Sequence, residues 1–166
     1  MESLIHKIKK AIVLSAEAEE HVYSIAKEKL IKKGEKLIHQ GNAVNKTYFV
    51  NDGCLRSFRL DKNGKEHTLQ FAIKDWWISD FIAIYNNELA SLTVECLKDS
   101  KVIEFNAKDL NKIHSLFPEF EPFQRMNLER HVVSLHKRIL NQLELTASER
   151  YDLFQEQYPD IEKFVK

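Results

Sequence analysis

Lys33-Gly34-Glu35-Lys36-Leu37-Ile38-His39-Gln40-Gly41, followed by Tyr48-Phe49-Val50-Asn51-Asp52-Gly53-Cys54-Leu55-Arg56, is the stretch whose reading decides the fold. The chain has four glycines, and three of them, Gly34, Gly41 and Gly53, fall here at intervals of seven and twelve residues. They punctuate short apolar runs. Glycine lets a strand turn at little steric cost because it has no Cβ to clash at positive φ. Short β-runs broken by turn residues every ~8–12 positions predict a small antiparallel sandwich or barrel.

Outward from this stretch, the strand texture extends over about residues 30–106. Leu37-Ile38, Tyr48–Val50 and Leu55–Leu60 read as separate strands bounded by Asn, Asp or Gly. Asp61-Lys62-Asn63-Gly64 predicts a hairpin loop in which Asn63-Gly64 supplies positive φ, with a returning strand over Lys65–Ile73. Leu92–Leu97 and Lys101–Phe105 read as two more strands, joined by the turn-rich triplet Lys98-Asp99-Ser100. Between them Ile78–Asn87 breaks the pattern and reads as a short helix and loop.

Helices flank this region. Residues 2–29 read as helical, with Leu4, Ile5, Ile8, Ile12 and Val13 on one face and Ser15 as an N-cap before Glu17, Glu19 and Glu20. Downstream, Asn106 can cap a helix through Leu116 that Pro118 closes, and a long helix runs from about Glu119 to Leu143. On that helix Leu128, Val132, Leu135, Ile139 and Leu143 form one apolar stripe, and Met126, Val133 and Leu140 form another. At ~100° per residue the stripes lie roughly 120° apart, so the helix needs two partners. One is expected to be its own barrel. The other is expected to be the same helix of a second subunit, paired through Met126, Val133 and Leu140 as a parallel coiled coil. Thr146-Ala147-Ser148-Glu149 then forms a capping box, opening a helix with Tyr151, Phe154 and Tyr158 on one face that Pro159 ends. Asp160–Lys166 is too short to pack by itself, so the chain is expected to stop mid-domain.

Composition excludes several functions. The 166 residues suit one large domain, or one domain with an appendage; 43 % are hydrophobic and 30 % charged. Lys plus Arg equals Asp plus Glu at 25 each, so the chain lacks the basic excess of a domain that holds nucleic acid by charge alone. Any DNA contact must come from a local patch or a further segment. Cys54 and Cys96 are too few for a four-thiolate cluster and read as buried small hydrophobes, a disulfide between them requiring an oxidising compartment. The N-terminus shows no signal-peptide pattern, and no apolar run approaches the ~20 residues needed to span a bilayer, so a cytoplasmic protein without membrane contact is expected. There is no Gly-rich phosphate loop, no Gly-x-Ser-x-Gly and no strand-end carboxylate pair, which argues against an enzyme. Of seven histidines, His39 and His67 are isolated, and His131 and His136 are five apart, off the i, i+4 geometry for sharing an ion. No metal and no cofactor are expected.

The glycine spacing, the order helix, barrel, long helix, and the tail together resemble the Crp/Fnr family of bacterial transcription regulators. The resemblance spans residues 15 to about 158 and is most specific in Lys33–Gly41, Tyr48–Arg56 and Trp76–Val102. It implies a mainly β fold with flanking helices: a double-stranded β-helix (jelly-roll) barrel of the cyclic-nucleotide-binding type, followed by a long dimerisation helix. The implied divisions are a sensor domain over 1–117, the dimerisation helix over 118–144 and, over 145–166, the start of a truncated winged helix-turn-helix, with Leu145–Tyr151 as its opening.

Members of that family that bind cyclic AMP carry a Gly-Glu pair followed ten residues later by Arg-Ser or Arg-Thr. Here those positions read Ser79-Asp80 and Ala90-Ser91. Asp80 can still accept from a sugar hydroxyl and Ser91 can still donate, but the cation that clamps the phosphate is replaced by Ala90. A buried phosphate without a cation is costly, so Arg56, Arg59 or Lys98 would have to reach inward. The resemblance therefore implies a candidate pocket of Ser79, Asp80, Ser91 and Arg56, taking an unknown small-molecule effector other than cyclic AMP. Trp76-Trp77 reads as barrel packing. The implied function is the sensor and dimerisation part of a DNA-binding regulator, a homodimer reaching DNA through a C-terminal segment not complete in this chain. Two alternatives are a cyclic-nucleotide-binding module that regulates another protein and a metal-binding, cupin-like protein.

Overall fold

In the computed structural model, which describes residues 1–159 and residue 161, the strand region forms a single antiparallel sheet. Its strands are β1 (Ala26–Ile31), β2 (Lys36–Ile38), β3 (Lys46–Leu60), β4 (Glu66–Ala72), β5 (Trp77–Ile78) and β6 (Thr93–Asn106). The order is β1-β6-β3-β4, with β2 also on β6 and β5 also on β3. Among the described residues six α-helices accompany it: α1 (Glu2–Ala11), α2 (Ala16–Ile25), α3 (Phe81–Asn86), α4 (Ala107–Leu116), α5 (Glu121–Glu144) and α6 (Ala147–Gln157). The backbone divides into two compact units, Met1–Phe120 and Glu121–Lys166.

The sheet curls around its core. Ile31, Ile38, Tyr48, Val50, Leu55, Ala72, Ile78, Val94, Cys96 and Val102 belong to one buried cluster, and between them they come from all six strands. Every strand thus contributes to one shared core, as expected of a jelly-roll barrel. The alternate residues of the same strands, Phe49, Phe58, Ile103 and Phe105, are buried on the other face, as are Leu4, Ile5 and Ile8 of α1. Lys7 of α1 stands over the Phe49 ring, 5.3 Å from its centroid, and donates to the Asp75 carbonyl at 2.7 Å. Period-2 alternation thus serves two covered faces, which is why these strands read as near-continuous apolar runs.

Three expectations change. First, the N-terminal helical stretch ends at Ile25, and Ala26–Ile31 is a strand, laddered from Ala26 opposite Phe105 to Ile31 opposite Ser100. The sequence Ala-Lys-Glu-Lys-Leu-Ile carries no strand period of its own; pairing with β6 overrides its helical propensity. Second, Tyr48–Val50 and Leu55–Leu60 are one strand, β3, continued through Gly53. Third, Lys98-Asp99-Ser100 does not turn the chain but stays within β6.

Gly53 explains the last two points together. It sits at φ +106, and a Cβ built on it would collide with the Cβ and Oγ of Ser100 on the facing strand. The register between β3 and β6 shifts three times between Val50 and Leu55, so this is a bulged crossing rather than a turn. Ser100 accepts the Cys54 N–H at 3.1 Å and donates to the Lys98 carbonyl. Asp99 accepts from the Lys32 ammonium at 2.7 Å and the Lys33 N–H at 2.9 Å. Turn-forming residues are spent here on anchoring a bulge.

The caps and the hairpin follow the sequence closely. Ser15, Asn106 and Thr146 each accept a backbone N–H at the start of their helices, and Thr146 and Glu149 form the full capping box. The Asp61–Gly64 loop closes with Asp61 N–H donating to Lys65 at 3.0 Å, but only Gly64 takes positive φ; Asn63 does not. A single 3-10 turn, Pro118–Phe120, precedes α5. The expectation for Asp160–Lys166 falls, apart from Ile161, outside the described residues.

Candidate functional site

The cassette is built from the segment between β5 and β6. β5 places Trp77 opposite Phe49 and Ile78 opposite Tyr48, so the chain leaves the sheet at Ser79, whose hydroxyl donates to the Lys46 carbonyl at 2.7 Å. Asp80 follows, fully buried, and caps α3: its Oδ1 accepts the Ala83 N–H at 3.1 Å. Asn87 ends this short helix in the left-handed conformation at φ 56. The returning chain is stitched to the loop after β2, with Ala90 N–H donating to Asn42 at 2.8 Å and Gly41 N–H to Ala90 at 2.7 Å.

The loop then closes on its own start. Asp80 Oδ2 accepts from the Ser91 N–H at 2.7 Å, the Ser91 hydroxyl at 2.9 Å and the Leu92 N–H at 2.9 Å. Asp80 and Ser91, two of the positions the family resemblance singled out, are therefore bonded to one another, while the Ser79 hydroxyl is bonded to Lys46. Ala90 is buried at 4 % exposure and belongs to the apolar core cluster.

Arg56 lies elsewhere. It alternates on β3 with Leu55 and Ser57, both buried. Its Nε donates to Glu95 Oε1 at 2.6 Å, it also pairs with Glu66, and its guanidinium lies 4.3 Å from the centroid of the Phe58 ring. Since Glu95 is on β6 and Glu66 on β4, Arg56 clamps three adjacent strands. Trp76 packs against the core cluster, and Trp77 sits between Phe49 and Phe105 at 5.3 and 5.5 Å between ring centroids.

One charged cluster escapes sequence reading. Glu104, 6 % exposed, accepts from Lys29 at 2.7 Å and pairs with Lys46 at 3.4 Å. Burial alone would raise its carboxyl, but the bond and charge of Lys29, with Lys46, pull it below the usual glutamate range. Burial and the neighbouring Glu104 push the Tyr48 hydroxyl well above its ordinary value. No local signal marks this group, because Lys29 meets Glu104 only through the β1–β6 register. The two cysteines are free and buried, and burial pushes Cys54 up to about 11, so it stays a thiol. Among the described residues no group of three or more His, Cys, Asp or Glu is placed to hold a metal ion, and no helix is long and apolar enough to cross a membrane.

On α5 both apolar stripes are exposed. Met126, Val133 and Leu140 are 41, 52 and 51 % exposed, and the stripe from Leu128 to Leu143 is open as well. Scattered single apolar residues on a surface are ordinary; eight on one helix mark an interaction face.

The profile of the family described as the cyclic nucleotide-binding domain matches residues 28–115. The transcriptional activator protein FnrA of Stutzerimonas stutzeri is 24 % identical over 124 residues, covering 75 % of this chain and 50 % of FnrA. The chain thus spans half the length of that relative. Among solved structures, a protein described as a transcriptional regulator of the Crp/Fnr family from Eubacterium rectale superposes with a TM-score of 0.72 at 16 % identity, over 90 % of this chain and 70 % of the other. The sensor domain of the regulator DNR from Pseudomonas aeruginosa gives 0.63 at 19 % identity, over 83 % and 89 %.

Proposed function

We infer that this chain, which belongs to the cyclic nucleotide-binding domain family, is the sensor and dimerisation part of a Crp/Fnr-type transcription regulator. The observation that carries this reading is the helix beyond the barrel: α5 is 24 residues long and carries eight exposed apolar side chains in two stripes. A helix of that length is ~36 Å long and is poorly soluble with two open apolar faces unless something covers them. The covering partner is a second copy, paired in parallel through Met126, Val133 and Leu140. In this reading residues 1–117 are the sensor, 118–144 the dimerisation helix, and 145–166 the opening of a winged helix-turn-helix, with α6 as its first helix. A change in the barrel would shift the paired helices and so the spacing of two DNA-reading heads. The protein works in the cytoplasm and binds rather than catalyses.

Cyclic AMP is not the effector in this reading. Ala90 replaces the phosphate-clamping arginine, Arg56 is committed to Glu66 and Glu95, and the hydroxyl of Ser91 is committed to Asp80. Asp80 and Ser91 serve to close the cassette, Ser79 ties its start to Lys46, and an effector would act by loosening that closure. Light scattering on the eluting protein tests the dimer. The parent is expected at twice the chain mass, and Met126→Ser/Val133→Ser/Leu140→Ser at the chain mass. A parent that is monomeric at every concentration would overturn the reading.

A further inference from the structure

We propose that His136 is a proton-operated release built into the pairing of α5, held neutral between two copies and driving them apart when it takes a proton. The two apolar stripes of α5 lie roughly 120° apart, and at ~100° per residue His136 falls in the interval between them. Val132 and Val133 stand one turn before it, and Ile139 and Leu140 one turn after. His136 is exposed, as are all eight apolar side chains of this face among the described residues. Met126, Val133 and Leu140 recur every seven residues, the interval at which a second copy of the same helix fits in parallel register. In that register His136, three residues after Val133 and four before Leu140, takes the other core position of the heptad and meets the His136 of the second copy. No acid answers it there. Glu129 holds the equivalent position one heptad earlier, ~10 Å along the axis, and is already bonded by Arg125 of its own helix at 3.1 Å. Lys137 flanks the layer and adds positive charge. Covering would thus strip water from an imidazolium that has no counter-charge and set two of them face to face. A separated copy takes the proton in water. Protons are therefore bound on separation: pairing is complete above the range in which imidazoles titrate, ~6–7, and weakens as pH falls through it. This release rests on the proposed pairing of α5 with a second copy.

Sedimentation equilibrium of the parent, His136→Leu and His136→Gln at about pH 7.5 and about pH 5.5 tests the release, with circular dichroism checking that each stays helical. The dimer dissociation constant of the parent is expected to rise about 100-fold on acidification, as two protons are taken up for each dimer that separates. His136→Leu and His136→Gln are expected to keep one constant at both values, the leucine variant pairing more tightly because it adds an apolar layer. His131→Gln, which lies about 140° around the helix from His136, is expected to respond to pH as the parent does. A parent dimer whose constant does not move, or one whose response survives in both His136 variants, would overturn the release and leave the pairing standing. A parent that is monomeric at both values would overturn the pairing and the release together.

Discussion

Gly53 holds φ +106 where an added methyl group would meet the Ser100 side chain and backbone. Both the conformation and the contact forbid a Cβ, so Gly53→Ala is expected to cost about 2–4 kcal/mol, read as a lowered midpoint in denaturant unfolding. Glu104 offers a pH-dependent counterpart. Lys29 and Lys46 hold its carboxyl below the ordinary 4.5, so the folded state favours the ionised form. That stabilisation is complete above the unfolded value and fades as pH falls through the lower folded value. Because both lysines are partly solvated, Glu104→Gln is expected to cost about 1 kcal/mol at neutral pH. Parent and variant unfolding curves should converge in acid; a gap that persists below the carboxylate range would show that the ion pairs are not its source.

Among the elements, those with local causes were legible in the sequence. Ser15, Asn106 and Thr146 cap the helices they were expected to cap, because a cap bond spans two or three residues and its chemistry is written beside it. Thr146→Ala is expected to cost about 1 kcal/mol locally, seen as faster amide exchange confined to α6 with β6 unchanged. The pairing of Asp80 with Ser91 has no signal in the residues themselves; only the family resemblance put the two positions in one site. What was not legible depends on register. Ala26–Ile31 becomes a strand only because β6 lies beside it, and Lys98-Asp99-Ser100 becomes a bulge only because Gly53 approaches it. Arg56 finds Glu66 ten residues away and Glu95 thirty-nine away, a pairing that no window along the chain contains.

For the molecule as a whole, the proposed covering of α5 by a second copy would tie stability to concentration. The thermal midpoint of the parent is expected to rise with protein concentration, while Met126→Ser/Val133→Ser/Leu140→Ser is expected to be insensitive to it. On the proposed reading, calorimetric titration with cyclic AMP is expected to give no binding heat; micromolar affinity would mean that a cation other than one at Ala90 holds the phosphate. The long pairing of β3 with β6 has its own consequence for how the protein is made. Its partners are separated by 35 residues at Phe58–Thr93 and by 60 at Lys46–Asn106. On the ribosome, Phe58 must therefore wait unpaired on this side until Thr93 has been synthesised, Leu55 until Cys96, Val50 until Val102 and Phe49 until Ile103. Slow maturation and reliance on chaperones during translation are the expected signature of such late closure.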